Sequence, residues 1–201
     1  AQIDCKSRYH TVSASLGALR RLSDAWDVKL DLSTATRPPN PDEQYLNGTS
    51  PTFPVLGYGK PNIKAETTYS ASATTSYHHE KFTGEASAFV NRISDYMYSA
   101  PAFDADGKPI FDVLIRGSFP RFVTRSVNAL FYGADGGLEW RPHAAATLGA
   151  QASLVRARNT TDDTFLVFVP ADRYRATATY RPPAWRSWHN HNITVAGTYV
   201  A

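Results

Sequence analysis

The sequence predicts an all-β chain: the antiparallel strands of a transmembrane barrel, with short turns on one rim and long loops on the other. Three observations predict it. Apolar and polar residues alternate with period two in run after run, the pattern of strands whose successive side chains face opposite ways. The connections also alternate, short near 23, 80, 142 and 184 and long or polar near 37–65, 101–109 and 157–172. Outer-membrane barrels segregate short periplasmic turns from longer extracellular loops in this way. Finally, Trp26, Trp140, Trp185 and Trp188 fall within a few residues of the short turns, joined by Tyr77, Phe82 and Tyr180. Amphipathic rings gather at membrane interfaces as such girdles.

Composition agrees by exclusion. In 201 residues, 42% of them hydrophobic and with a mean hydropathy of −0.37, no run approaches the ~18 apolar residues of a spanning helix. That excludes helical spans only, because a barrel wall needs just every second residue to be apolar. The single cysteine, Cys5, allows no internal disulfide framework. A net charge of +3, with Lys and Arg scattered among Thr and Ser, gives no basic stripe for nucleic acid. The chain opens without a start methionine or an apolar leader, as expected of a processed or excised piece.

The clearest alternation opens at Trp26, where Val28, Leu30, Leu32 and Thr34 oppose Asp27, Lys29, Asp31 and Ser33. Before it, Tyr9–Leu22 sets Val12, Ala14, Leu16 and Ala18 against Thr11, Ser13, Ser15 and Gly17. The Trp26 strand breaks at Arg37-Pro38-Pro39, and a loop of roughly thirty residues follows, too long for an unstructured loop in a soluble domain. Thr67–His78 and Phe82–Tyr98 form the next pair of strands, around the turn His79-Glu80-Lys81. Ile110–Trp140 is too long for one crossing, so a short outer extension and a break at Phe119-Pro120 are expected before the strand that ends at Trp140. Ala144–Arg156, Arg173–Tyr180 and Asn190–Ala201 complete about eight strands, antiparallel because every connection is a turn or irregular loop.

Three stretches carry a family resemblance. Thr36-Arg37-Pro38-Pro39 through Asp42-Glu43-Gln44-Tyr45-Leu46-Asn47-Gly48, then Gly59-Lys60-Pro61-Asn62-Ile63-Lys64-Ala65-Glu66, is the first. The second is Ala88-Phe89-Val90-Asn91-Arg92-Ile93-Ser94-Asp95-Tyr96-Met97-Tyr98, and the third Tyr132-Gly133-Ala134-Asp135-Gly136-Gly137-Leu138-Glu139-Trp140. In order and spacing they resemble the C-terminal part of the barrel of TonB-dependent outer-membrane receptors, with Lys60 where that family usually has Asn and Asp135 where it usually has Glu. The resemblance implies that the chain supplies eight or so of about twenty-two strands of a plugged barrel. The plug domain and at least one final strand would then lie outside residues 1–201. It implies a transporter in the bacterial outer membrane that imports a scarce nutrient, most simply a metal chelate such as a ferric siderophore. Its partners would be membrane lipid and lipopolysaccharide, its own plug and, through the plug, the TonB complex. On this reading Asp27, Lys29, Asp31, Glu85, Gln151, Arg175 and Arg181 face the lumen, although a solvated face of an ordinary sheet has the same composition.

Ligand contact is expected from the long loop, with Tyr45, Phe53 and Tyr58 displayed at the mouth and Arg37 at its base. For metals, His78 with His79 and His189 with His191 are weak candidates, and Cys5 with His10 a fainter one. The carboxylate pairs Asp42/Glu43, Asp104/Asp106 and Asp162/Asp163 could meet a hard cation but suit simple solvation. No Gly-x-Ser-x-Gly elbow, phosphate loop or His-Glu-x-x-His occurs, so neither an enzyme nor a cofactor is expected. Two rival folds make distinct demands. A complete eight-stranded barrel, acting as an adhesin or small pore, requires Tyr9–Leu22 to pair with Asn190–Ala201. A soluble β-sandwich binding domain requires the alternate apolar residues to be buried.

Overall fold

A computed structural model describes residues 7–49, 55–184 and 191–201. Eight long strands run antiparallel in the order β1 (Ser13–Ser23), β2 (Trp26–Arg37), β5 (Glu66–His79), β6 (Phe82–Pro101), β8 (Gly117–His143), β9 (Ala146–Asn159), β11 (Arg173–Tyr180) and β12 (Ile193–Val200). Each pairs with its sequence neighbour among these eight, so the sheet is a meander of hairpins. β1 and β12 form its two edges and are not paired with each other, which removes the closed eight-stranded alternative.

Register explains why the alternation is so regular. One cross-strand row carries Trp26, Tyr77, Gly84, Leu138, Ala150, Ala176 and Gly197, and the next row on the same face carries Val28, Thr75, Ala86, Gly136, Ala152, Tyr174 and Tyr199. A slip of one residue in any strand would move its whole apolar set to the other face. These apolar side chains are not sealed away: Leu16 is 72% exposed, Leu32 57% and Val195 68%. A β-sandwich would bury them, so that alternative fails too. From Leu130 to Trp140 the apolar face of β8 spans roughly 33 Å of strand, about 25 Å of height at a barrel tilt of ~40°.

Buried apolar residues sit elsewhere. Leu56, Ile63, Ile93, Met97, Ala100, Val127, Ala129, Ala157 and Leu166 all lie at or beyond the long-loop ends of the strands. Ile93, Ala129, Ala157 and Leu166 form one cluster, with Tyr96, Phe131 and Val169 packed on it. The wall therefore has no core of its own; the packed core belongs to the loop rim.

The structure corrects the expected form of that rim. The stretch after Arg37 is not an unstructured loop: it holds the helix α1 (Pro41–Tyr45) and the short strands β3 (Asn47–Thr49) and β4 (Leu56–Tyr58). β4 runs parallel to β8, aligning Leu56 with Arg121 and Tyr58 with Val123. Nor does the chain break at Phe119-Pro120. β8 runs unbroken for 27 residues, and the turn lies earlier, between β7 (Phe111–Leu114) and Gly117. Proline lacks the N–H that an inner strand needs, but at Pro120 only β7 is paired with β8 among the described residues, so no second ladder is interrupted. β10 (Thr164–Phe165) adds a further short pairing to β9 within the 157–172 loop. A bulge between Ile93 and Tyr96, with Asp95 at φ 57°, re-aims the top of β6.

Candidate functional site at the long-loop rim

The rim is built from ion pairs that tie loop to wall. Arg37, the last residue of β2, donates from Nη1 to Glu43 Oε2 at 3.0 Å and from Nη2 to Glu66 Oε2 at 3.0 Å. Glu66, first in β5, also accepts the backbone N–H of Met97 on β6 at 3.1 Å. Glu43 in turn receives the Asn40 N–H at 2.7 Å, fixing the start of α1. One guanidinium thus joins two strands to the helix, in the planar two-oxygen geometry that only arginine offers. The loop returns flush against this helix. A Cβ on Gly59 would lie 2.5 Å from the Gln44 carbonyl carbon, so glycine is required by the close approach.

A second clasp holds β4. Arg121 donates from Nε to Asp112 Oδ2 at 2.9 Å and lies 5.2 Å from the centre of the Tyr58 ring, a cation–π distance. The Tyr58 hydroxyl donates to the same carboxylate oxygen at 3.2 Å. Hydrogen bonding from Arg121 is the main cause that holds the Asp112 carboxyl below its ordinary range.

Of the four residues expected to meet a ligand, three are described. Arg37 and Tyr58 occupy the two clasps. Tyr45 is half-buried at the end of α1, its hydroxyl 3.1 Å from Ser7 Oγ. Phe53 lies outside the described residues. Sequence reasoning missed Glu66, Asp112 and Arg121 as partners, although Glu66 closes the first family-like motif and Glu43 stood in a pair read as solvated.

The polar face is equally regular. Asp27, Ser76, Glu85, Gly137, Gln151, Arg175 and Thr198 share a single row. Lys29 and Asp31 follow on the same face, bridged at 2.9 Å, and Arg181 reaches Thr147 Oγ1 at 3.0 Å. Ser76 donates to Glu85 at 3.2 Å and Ser153 to Asp135 at 2.6 Å, each from a directly paired residue.

At the opposite rim Trp26 meets Tyr77 edge-on at 6.2 Å, and Tyr77 meets Phe82 at 6.1 Å. Trp140 is aligned with Phe82 on the same face. Trp185 and Trp188 lie outside the described residues. His78 pairs with Thr83 and His79 with Phe82 on successive rows, so the two imidazoles leave opposite faces of β5 and cannot grip one ion. Cys5 and His189 are outside the described residues, so the candidate pairs Cys5 with His10 and His189 with His191 fall partly outside them. Among the described residues no three His, Cys, Asp or Glu side chains gather into a metal-binding group. The outer carboxylates have other uses: Asp104 accepts the N–H groups of Asp106 and Lys108. Asp162 pairs with Arg125, and Asp163 with Arg158.

A meander with one exposed apolar face, one polar face and a packed rim on one side is barrel wall. The family model described as TonB dependent receptor-like, beta-barrel, matches residues 3–201. The chain belongs to that family. Among solved structures, the copper transporter OprC superposes with a TM-score of 0.73 at 20% identity, over 94% of this chain and 26% of its own. The FrpB iron transporter from Neisseria meningitidis (F3-3 variant) gives 0.60 at 17%, over 94% of this chain and 26% of its own. The siderophore receptor PirA from Acinetobacter baumannii gives 0.59 at 15%, over 84% of this chain and 26% of its own. At these identities the likeness is one of fold, and this TonB-dependent receptor segment spans about a quarter of the length of those chains. No curated protein matches the sequence.

Proposed function

We propose that this chain is a stretch of the barrel wall of a bacterial outer-membrane transporter that imports a scarce nutrient as a metal chelate, such as a ferric siderophore. The observation that carries the reading is the exposed apolar face, roughly 25 Å tall on β8 and bounded below by Trp26, Tyr77, Phe82 and Trp140. Water would not tolerate so large a contiguous apolar surface; lipid matches it. The polar face then lines a lumen. Its Asp27, Glu85, Gln151 and Arg175 row offers paired charges and amides to a plug domain, through which the TonB complex would act.

The metal-chelate reading draws support from structural neighbours named as copper and iron transporters and siderophore receptors. No catalytic role is proposed. In the ligand-binding arrangement, Arg37 and Tyr58 serve as clasps, and the segment between them presents Tyr45 and Phe53 to the ligand. Deleting 48–59 from the full receptor tests this: chelate binding should fall at least tenfold, while unchanged affinity rejects the loop as the binding element.

A further inference from the structure

Between β1, β2, β5 and β6 the apolar face sinks into a groove of about 530 Å³. The depression has a simple origin. Ala71 stands in register between Leu32 and Val90, so a small residue floors a channel walled by larger ones, with Tyr69 next along β5 on the same face and Leu16 beyond Leu32 in the same row. At the end nearest the long-loop rim stands Arg92, in the row of Thr34, Tyr69, Leu130 and Arg158. An arginine amid lipid-facing side chains needs a reason, because a charge facing hydrocarbon is costly.

Its neighbours narrow that reason. Arg156 is held by Asp172, with Nη2 to Oδ2 at 2.7 Å. Arg158 pairs with Asp163, whose side chain is 79% exposed, so that pair is worth little. Arg92 makes no ion pair or side-chain hydrogen bond among the described residues. One strand, β8, lies between it and Arg158 in the same row, about 10 Å between Cα atoms. A cation at the upper limit of an apolar band lies at headgroup height, where a long side chain can lift its charge out of the hydrocarbon. Guanidinium binds phosphate oxygens in pairs.

We propose that the groove seats an acyl chain of a phosphorylated outer-leaflet lipid whose phosphate is bound by Arg92, with Arg158 beside it. The apolar channel and the cation complement one amphiphile, tail and head. The inference rests on the membrane reading above, so the test must separate failure of the site from failure of that reading.

Full-length receptor, extracted from membranes and depleted of lipid, is titrated with diphosphorylated lipid A, with its dephosphorylated counterpart and with inorganic phosphate, and bound lipid is counted by native mass spectrometry. Arg92→Gln should weaken diphosphorylated lipid binding about tenfold, the scale of one lost charge-assisted hydrogen bond. Ala71→Trp, which fills the channel and leaves the charge, should weaken it comparably. Arg20→Gln, on the same face toward the short turns, should leave it unchanged. The dephosphorylated lipid should bind wild type as weakly as the diphosphorylated lipid binds Arg92→Gln, and excess phosphate should not displace bound lipid. Wild-type binding by either groove variant, equal binding of the dephosphorylated lipid, or displacement by phosphate alone overturns the proposal. Both variants are also assayed for membrane integration and heat-resistant folding. If they fold in the membrane and keep their lipid, the site is wrong while the membrane reading stands.

Discussion

The wall and the long-loop rim of this molecule are stabilised by opposite means. In the wall, backbone ladders and cross-strand pairs hold each strand, and apolar side chains remain exposed: Leu30 is 54% exposed and Leu138 45%. At the rim, apolar residues are buried as in a soluble domain, with Ala129 at 1% and Met97 at 4%. Charged and polar side chains there are tied in pairs over long sequence separations, as from Arg37 to Glu66 and from Tyr58 to Asp112. On the proposed function the contrast has one cause: two solvents act on one chain. Lipid would replace the core where strands cross it, while water at the rim would force the loops to build a core of their own.

The sharpest way to break this contrast is to put the same charge on neighbouring residues of one strand. Ala88 lies mid-wall on the apolar face, aligned with Ala73 and Ala134, whereas Ser87 faces Thr74 and Asp135 on the polar face. Ala88→Arg should cost roughly 2–4 kcal/mol of stability in a bilayer, and Ser87→Arg less than about 0.5 kcal/mol. Urea unfolding of the receptor in lipid vesicles measures both; equal costs would remove the distinction between faces.

Smaller effects are expected at the rim. Arg37→Ala leaves Glu66, only 11% exposed, without its cation. A lost charge-assisted bond and a largely buried carboxylate left without its cation should cost about 1–3 kcal/mol. Hydrogen exchange should rise in α1 and at the Met97 amide and stay unchanged in β11. A rise confined to residues beside the substitution would contradict the clasp.

The smallest effect concerns pH. Because Arg121 lowers the Asp112 carboxyl from its ordinary value of 3.8, the folded form binds its proton less readily than the unfolded chain does. The stabilisation is therefore whole above that ordinary value and is lost as pH falls through the lower folded one. Exchange protection of Leu56–Tyr58 should be constant from pH 7 to about 5, after correction for intrinsic rates, and should drop only below the ordinary carboxylate range. In Asp112→Asn it should be low throughout.

How much could be read in advance divides along the same line. The eight long strands were legible because one apolar and one polar face impose a strict period of two, visible from Trp26 to Thr34 without any knowledge of neighbours. The rim elements were not legible. α1 spans five residues, too few for a helical period, and is fixed by Arg37 rather than by its own propensity. Pro120 looked like a break because sequence alone does not say how many partners a strand has at that height. The clasps of Tyr58 and Arg37 depend on Asp112 and Glu66, 54 and 29 residues away, and local spacing carries no trace of such pairs. The Trp185 and Trp188 part of the girdle lies outside the described residues and adds nothing to either account.

Spin labels placed one at a time from Asp27 to Ser33 in the membrane-embedded receptor would test the central claim most directly. Their accessibility to oxygen, which concentrates in hydrocarbon, should alternate with period two, high at Val28, Leu30 and Leu32 and low at Lys29, Asp31 and Ser33. A profile without alternation, or one with the aspartates and Lys29 on the oxygen-rich side, would contradict it.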